Sequence, residues 1–403
     1  MQEFAKDPAN DPQPGDYRTK ETGFDRWLSA LQQQAHDPTP STVGSQIDLL
    51  QAEIEESVAA ESAMATGSWS AALQSAINVA GFQEGDEVIV SALAPASLAK
   101  AVIRCNATPI FADIDPRTFL LDPQDVVRKI SSSTVGLISF DHAGRPVDYP
   151  TLQLIARKNQ LVFIGSGPEL SKATSWNRHV AQWTDLACFP VFDRDNRDLF
   201  EVGVVLGDQA KRTAVLKPLC DHEVSERPSV GAEDSEPVTS VLDFRPREMA
   251  CRMARIQLAN NHAKHQTTNQ LAASLCKQLQ TNRFIQLPVI DPGSAAIFCH
   301  LPVRWRQTDS GISRDQVVQH LRSNGLEASS DYRPFYQHSF YRQSCQNSRQ
   351  VSCPNADQLG PELIALPLLP NMTEWDVQRM VKEFRQLEMQ GVRQHEVTEK
   401  RVA

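Results

Sequence analysis

The sequence predicts an α/β protein with a largely parallel sheet covered by helices on both faces. Three observations lead there. Short apolar runs recur along the chain: VIVSA at 88–92, TPIFADI at 108–114, TVGLISF at 134–140, QLVFIGS at 160–166, LACFPVF at 186–192 and VGVVLG at 202–207. Most are separated by helix-length segments, the rhythm of buried parallel strands joined by crossover helices. A chain of 403 residues, 41% hydrophobic and 22% charged, is also long enough to bury a large core.

Residues 1–45 read as a polar N-terminal arm, rich in proline, with a small apolar patch at Phe24, Trp27 and Leu31. From Ile47, IDLLQAEIEESVAA has helical spacing, and SAALQSAINVAGF repeats it after Gly67, so two helices are expected to bracket a tight turn. The large α/β domain is drawn over 46–258, with the acidic, Pro- and Ser-rich segment 221–242 as an exposed loop. Residues 259–403 are expected to form a smaller α+β domain containing the strand AAIFCHLPV and the helix SRDQVVQHLRSNG. Its last helix opens at Thr373, with Asp376 as a capping-box variant and Val377, Met380, Val381, Phe384 and Leu387 as an inward stripe.

Forty basic against forty-nine acidic residues give a formal charge of -9, which disfavours nucleic acid as a partner. No long apolar span and no signal-peptide pattern is present, so a cytoplasmic chain without membrane partners is expected. Eight cysteines lack CxxC or zinc-like spacing; Cys188 in LACF and Cys299 in AIFCH read as small hydrophobes, and no metal site is expected.

Seven phrases occur in a telling order: SAALQSAINVAGFQEGDEVIVSA, ATPIFADIDPRTFLLDPQDV, GRPVDYPTLQLIARKNQLVFI, TDLACFPVF, FRPREMACRMARIQL, DYRPFYQ and LIALPLLPNMTEWDVQRMV. Together they resemble the DegT/DnrJ/EryC1/StrS sugar aminotransferases, which are fold-type I pyridoxal phosphate (PLP) enzymes. The resemblance implies a three-layer large domain with a mostly parallel mixed sheet, a smaller C-terminal α+β domain and a dimer. It also implies a PLP site that needs a Schiff-base lysine, an acid facing the pyridine nitrogen and donors for the phosphate.

The residues at those positions are wrong for the chemistry. Counting from Asp185 in TDLACFPVF, the lysine position falls on Asp195, and no lysine occurs from Leu186 to Ala210. The phosphate-binding serine falls on Pro190, which offers neither hydroxyl nor N–H. The pyridine-facing aspartate falls on Gly165 in VFIGSGP, and the following glutamine or histidine on Pro168. The ring-stacking aromatic corresponds to Pro95, and the phosphate turn carries Trp69 and Ser70 where relatives have glycine and threonine. Asp243 takes the place of an asparagine that the neighbouring subunit contributes in relatives. Relatives that replace the lysine by histidine and act as dehydratases retain the pyridine-facing acid, which is missing here.

These losses lead to the expectation of a pseudoenzyme that neither binds PLP nor transaminates, with no catalytic residue of the family type. Its role would be structural, regulatory or ligand-binding in nucleotide-sugar or polysaccharide biosynthesis. It would act as a homodimer or as the partner of an active paralogue. The alternatives are PLP-independent chemistry on a nucleotide sugar, or a divergent PLP-dependent aminotransferase. Residues placed for a possible ligand are His142 and Arg145 in FDHAGRP, beside Asp141, and Tyr332, Arg333 and Tyr336 in DYRPFYQH. The loop residue His142 is expected to be solvated.

Overall fold

The computed structural model describes residues 45–168, 173–192, 200–207, 244–330, 332–344 and 351–402. Helix α1 (Gln46–Val58) is capped by Ser45, whose hydroxyl accepts the N–H of Asp48. It leads into strand β1 (Ser62–Thr66) and then α2 (Trp69–Ala80). After these come β2 (Glu87–Ser91), α3 (Ala96–Arg104), β3 (Thr108–Ala112), α4 (Pro123–Lys129), β4 (Thr134–Ile138), α5 (Tyr149–Lys158) and β5 (Val162–Ser166). A small hairpin, β6 (Thr174–Ser175) and β7 (Arg178–His179), precedes β8 (Leu186–Phe192) and β9 (Glu201–Gly207).

The strand order of the large sheet is β1-β9-β8-β5-β4-β2-β3. Only β9 runs against the others, pairing antiparallel with both β1 and β8. Side chains alternate between the two faces, as a pleated strand requires. Val88, Val90, Ile138, Ile164, Cys188 and Val205 join one apolar cluster with α2 and α3. Ile89, Leu137, Phe163, Ala187, Phe189 and Val204 join the other, against α1 and α5. Both faces are covered, so a predominantly parallel sheet is stable here.

A strand that was not expected precedes the turn at Gly67. Residues 62–66, SAMAT, are buried at every position and pair with β9 from Ser62↔Gly207 to Thr66↔Gly203. Their small side chains give little β signal, and tertiary pairing outweighs propensity.

Helix α6 (Glu248–Leu279) is one continuous element of 32 residues. Its first turns bury Cys251, Met253 and Ala254 in the large-sheet core, and its last bury Leu271, Leu275 and Leu279 in a separate C-terminal cluster. The boundary drawn after residue 258 therefore falls inside a helix. Beyond it, β10 (Ile285–Gln286), β12 (His300–Trp305) and β13 (Leu363–Pro367) form an antiparallel sheet, while β11 (Ser294–Ala295) extends the small hairpin. Packed around them are α7 (Arg314–Ser323), α8 (Pro354–Leu359) and α9 (Glu374–Val402). The stripe Val377, Met380, Val381, Phe384 and Leu387 is buried, and Asp376 accepts the N–H of Thr373 at 2.8 Å. Among the described residues no helix is long and apolar enough to cross a membrane.

Candidate functional site

A cleft of about 780 Å³ opens where the large sheet meets the C-terminal unit. Trp69, Pro95, Pro168, Pro190 and Glu201 line it from the large unit, and Cys299, His300, Glu327, Tyr332, Arg333 and His338 from the other. Trp69, Pro95, Pro168 and Pro190, four of the positions reached through the resemblance, thus converge, although the sequence phrases that carry them are far apart.

One end of the cleft is built on the start of α2. Ser68 caps the helix by accepting the N–H of Ala71 at 3.1 Å, and Glu201 accepts the N–H of Trp69 at 2.7 Å. A helix N-terminus presents free donors and a partial positive charge, which suit an anion. Here the anion is the chain's own carboxylate. The approach is close: a Cβ on Gly203 of β9 would lie 2.0 Å from the carbonyl oxygen of Ser68. Only glycine lets the strand pass beside the helix cap.

The Trp69 indole closes the same corner. Its Nε1–H donates to the hydroxyl of Ser166 at 3.1 Å, and that hydroxyl donates to the carbonyl of Cys188 at 2.7 Å. The indole also leans on Phe140, with ring centroids 6.0 Å apart. Ser166 is thereby placed on the cleft side of β5. Gly165 faces the opposite way, where a Cβ would meet Thr184 and Tyr149. The residue of β5 that faces the cleft is accordingly Ser166, one place beyond Gly165, and it too is no acid. Ser70 is exposed on the first turn of α2. Asp195 and Asp243 lie outside the described residues.

The turn after β4 is the second part of the site. His142 is buried rather than solvated, because Ala143 and Gly144 accept backbone hydrogen bonds from Cys299 at 3.3 Å and Ile297 at 2.9 Å. Burial holds its imidazole well below the usual range, with His300 and Arg145 adding to the effect. Its Nε2 has no protein partner among the described residues. The ring lies 5.0 Å from Tyr332 and 5.7 Å from His300, centroid to centroid.

Asp141 is also buried, and desolvation raises its carboxyl to about 8, partly opposed by the N–H of Val147. Arg145 turns away from the large cleft into a smaller pocket of about 230 Å³ with Asp115, Arg117, Asp148 and Asp291. Its guanidinium donates to the carbonyl of Thr118, and burial lowers it to about 10.

Tyr332 and Arg333 reach the cleft, but Tyr336 does not. It is buried against Phe111 and donates to Asp357 at 2.8 Å, which makes it a packing residue. Sequence reasoning missed Glu201, Cys299 and His300. Glu201 opens an apolar strand, and Cys299 with His300 forms a polar interruption before one; both were visible signals of polar atoms held beside a core.

The family model for the DegT/DnrJ/EryC1/StrS aminotransferases matches residues 26–385. The chain belongs to that family. Solved members and look-alikes share its fold. DesV from S. venezuelae, solved with a ketimine intermediate, superposes with a TM-score of 0.77 at 23% identity, covering 90% of this chain and 94% of that one. PseC from Helicobacter pylori, an aminotransferase involved in the biosynthesis of pseudoaminic acid, gives 0.77 at 18% identity over 92% and 96%. The E. coli GDP-4-keto-6-deoxy-D-mannose-3-dehydratase with bound hydrated PLP gives 0.77 at 15% identity over 91% and 97%. The DegT/DnrJ/EryC1/StrS fold therefore extends over most of the chain.

The residues present do not fit the family's PLP. Among the described residues that line the cleft there is no lysine. The helix N-terminus already holds a carboxylate. Pro190 has no N–H to give. Ser166 is engaged by Trp69 and Cys188.

Proposed function

We propose that this chain is a DegT/DnrJ/EryC1/StrS family member that has given up PLP-dependent transamination and uses its cleft to bind a sugar ligand, a nucleotide sugar of polysaccharide biosynthesis. The observation that supports this most directly is the Glu201 carboxylate on the Trp69 N–H. A phosphate dianion approaching that helix end meets like charge and no free donor at Trp69, and repulsion replaces the attraction such a site would provide. The cleft nevertheless stays open at about 780 Å³, a volume within the range of small-molecule sites. Its aromatic walls, Trp69, Phe140, Tyr332 and Phe335, with carboxylates at Glu201 and Glu327, suit a polyhydroxylated ring. Like its relatives the chain is read as a dimer, either with itself or with an active paralogue.

Two measurements test this reading. After incubation with PLP and dialysis, the protein should retain no near-visible absorbance; stoichiometric coenzyme bound to a lysine overturns the loss of the cofactor. Calorimetric titration with a panel of nucleoside-diphosphate sugars should give saturable binding that Tyr332→Ala weakens. A panel without heat or saturation overturns the ligand role. PLP-independent chemistry in the same cleft is the second reading, and the polar groups at Cys299, His300 and Tyr332 favour it.

A further inference from the structure

Cys299 and His300 stand next to each other at the entry to β12, and both line the cleft. The Cys299 Sγ lies 3.4 Å from His300 Nδ1, and His300 Nε2 lies 2.9 Å from the Tyr332 hydroxyl. A thiol, an imidazole and an orienting hydroxyl are thus linked in sequence. That is the arrangement an activated nucleophile requires: a base within reach of the nucleophile, and a third group fixing the base. With Nε2–H donated to the tyrosine oxygen, the Nδ1 lone pair is left facing the thiol.

The surroundings hold this geometry in place. The Cys299 N–H is bonded to the carbonyl of Ala143, so the thiol is tied to the turn that carries His142 and Arg145. The buried Arg145 interacts electrostatically with both Cys299 and Tyr332. A cation at that point favours the thiolate over the thiol. Tyr332 itself is buried, with His142 packed against its ring.

We propose that Cys299, His300 and Tyr332 form a nucleophilic thiol site facing the cleft, which adds reversibly to the carbonyl carbon of an aldehyde or keto ligand. Cys299 is the catalytic residue, His300 its base and Tyr332 a positioning residue. The S–H proton passes to His300 Nδ1 as the sulfur forms a bond to the carbonyl carbon. The C=O π pair moves to oxygen, and that oxygen takes the proton back from His300. No leaving group departs and no electron acceptor is needed. The proposal does not depend on whether PLP is bound or on the nucleotide portion of any ligand.

The test uses the reduced full-length protein, limiting iodoacetamide and peptide mass spectrometry from about pH 5 to about pH 9.5 (roughly from within the range of activated thiols to one unit above the free-thiol value). Cys105 serves as an internal reference, since it is a half-buried thiol that burial pushes up and whose side-chain hydrogen bonds run to Gln74 and Asn78. At pH 7 (about neutral) Cys299 should be alkylated at least about tenfold faster than Cys105, with an inflection below the free-thiol value of about 8.5. Glyceraldehyde should slow Cys299 and leave Cys105 unchanged. His300→Gln and Tyr332→Phe should move the Cys299 inflection back toward the free-thiol value. Equal rates at Cys299 and Cys105 overturn the site, and equal protection of both cysteines, or of neither, overturns the carbonyl ligand. Because the decisive comparison lies within one wild-type molecule, a variant that fails to fold does not remove it.

Discussion

Asp113 accepts the backbone N–H of Ala356 through Oδ1 at 2.8 Å, joining the end of β3 to the first turn of α8, 243 positions later. Its other oxygen takes the N–H of Asn355, also at 2.8 Å. The residue that precedes α8, Cys353, makes no side-chain cap of its own, so a distant carboxylate supplies one. Asp113→Ala should leave buried donors unpaired, at about 1–3 kcal/mol for each. Urea unfolding followed by tryptophan fluorescence measures the loss, and Asp113→Asn should recover part of it.

Gly144 has φ +76, and a Cβ there would sit 1.8 Å from the carbonyl oxygen of Ile297. Neither the conformation nor the space admits a side chain. Gly144→Ala should cost about 3 kcal/mol or more, and should loosen the segment that carries Cys299. A thermal melt, together with faster hydrogen exchange over 297–299, is the expected outcome.

Asp141 gives the stability a pH dependence of definite sign. Its folded-state value of about 8 lies above the unfolded value of about 4, so the native state holds a proton that the unfolded chain releases. This contribution is present in full below pH 4 (about the unfolded value) and is lost as the pH rises toward and through about 8. Urea midpoints should fall over that window. Asp141→Asn should flatten the profile, and an unchanged slope in the variant would refute the assignment.

Glu201 is exposed, and its bond to Trp69 is screened by solvent, so Glu201→Ala should change stability by no more than about 1 kcal/mol. It should, however, free the helix end for an outside anion. Inorganic phosphate is expected to raise the urea midpoint of the variant while leaving the wild type unmoved.

Much of this fold was legible because strand signals are local. Val88, Ile89 and Val90 already declare two buried faces, and the inward stripe from Val377 to Leu387 declares a helix. What stayed hidden depended on distant partners. His142 looked like a solvated loop residue because the backbone that covers it, 297–299, lies far along the chain. SAMAT became a strand only because β9 pairs with it. The one-place difference between Gly165 and Ser166 follows from strand parity, since Ile164 and Ser166 share a face. Cys299 was read as a small hydrophobe because its company in the sequence is apolar, whereas its thiol lies 3.4 Å from the imidazole of the histidine beside it.

Helix α6 is rooted in both cores along its 32 residues. At 1.5 Å per residue such a rod is about 48 Å long, and tilting one end without the other would bend it. The cleft between the two units is therefore framed like a vice with a fixed jaw, and swinging its walls together requires that rod to bend.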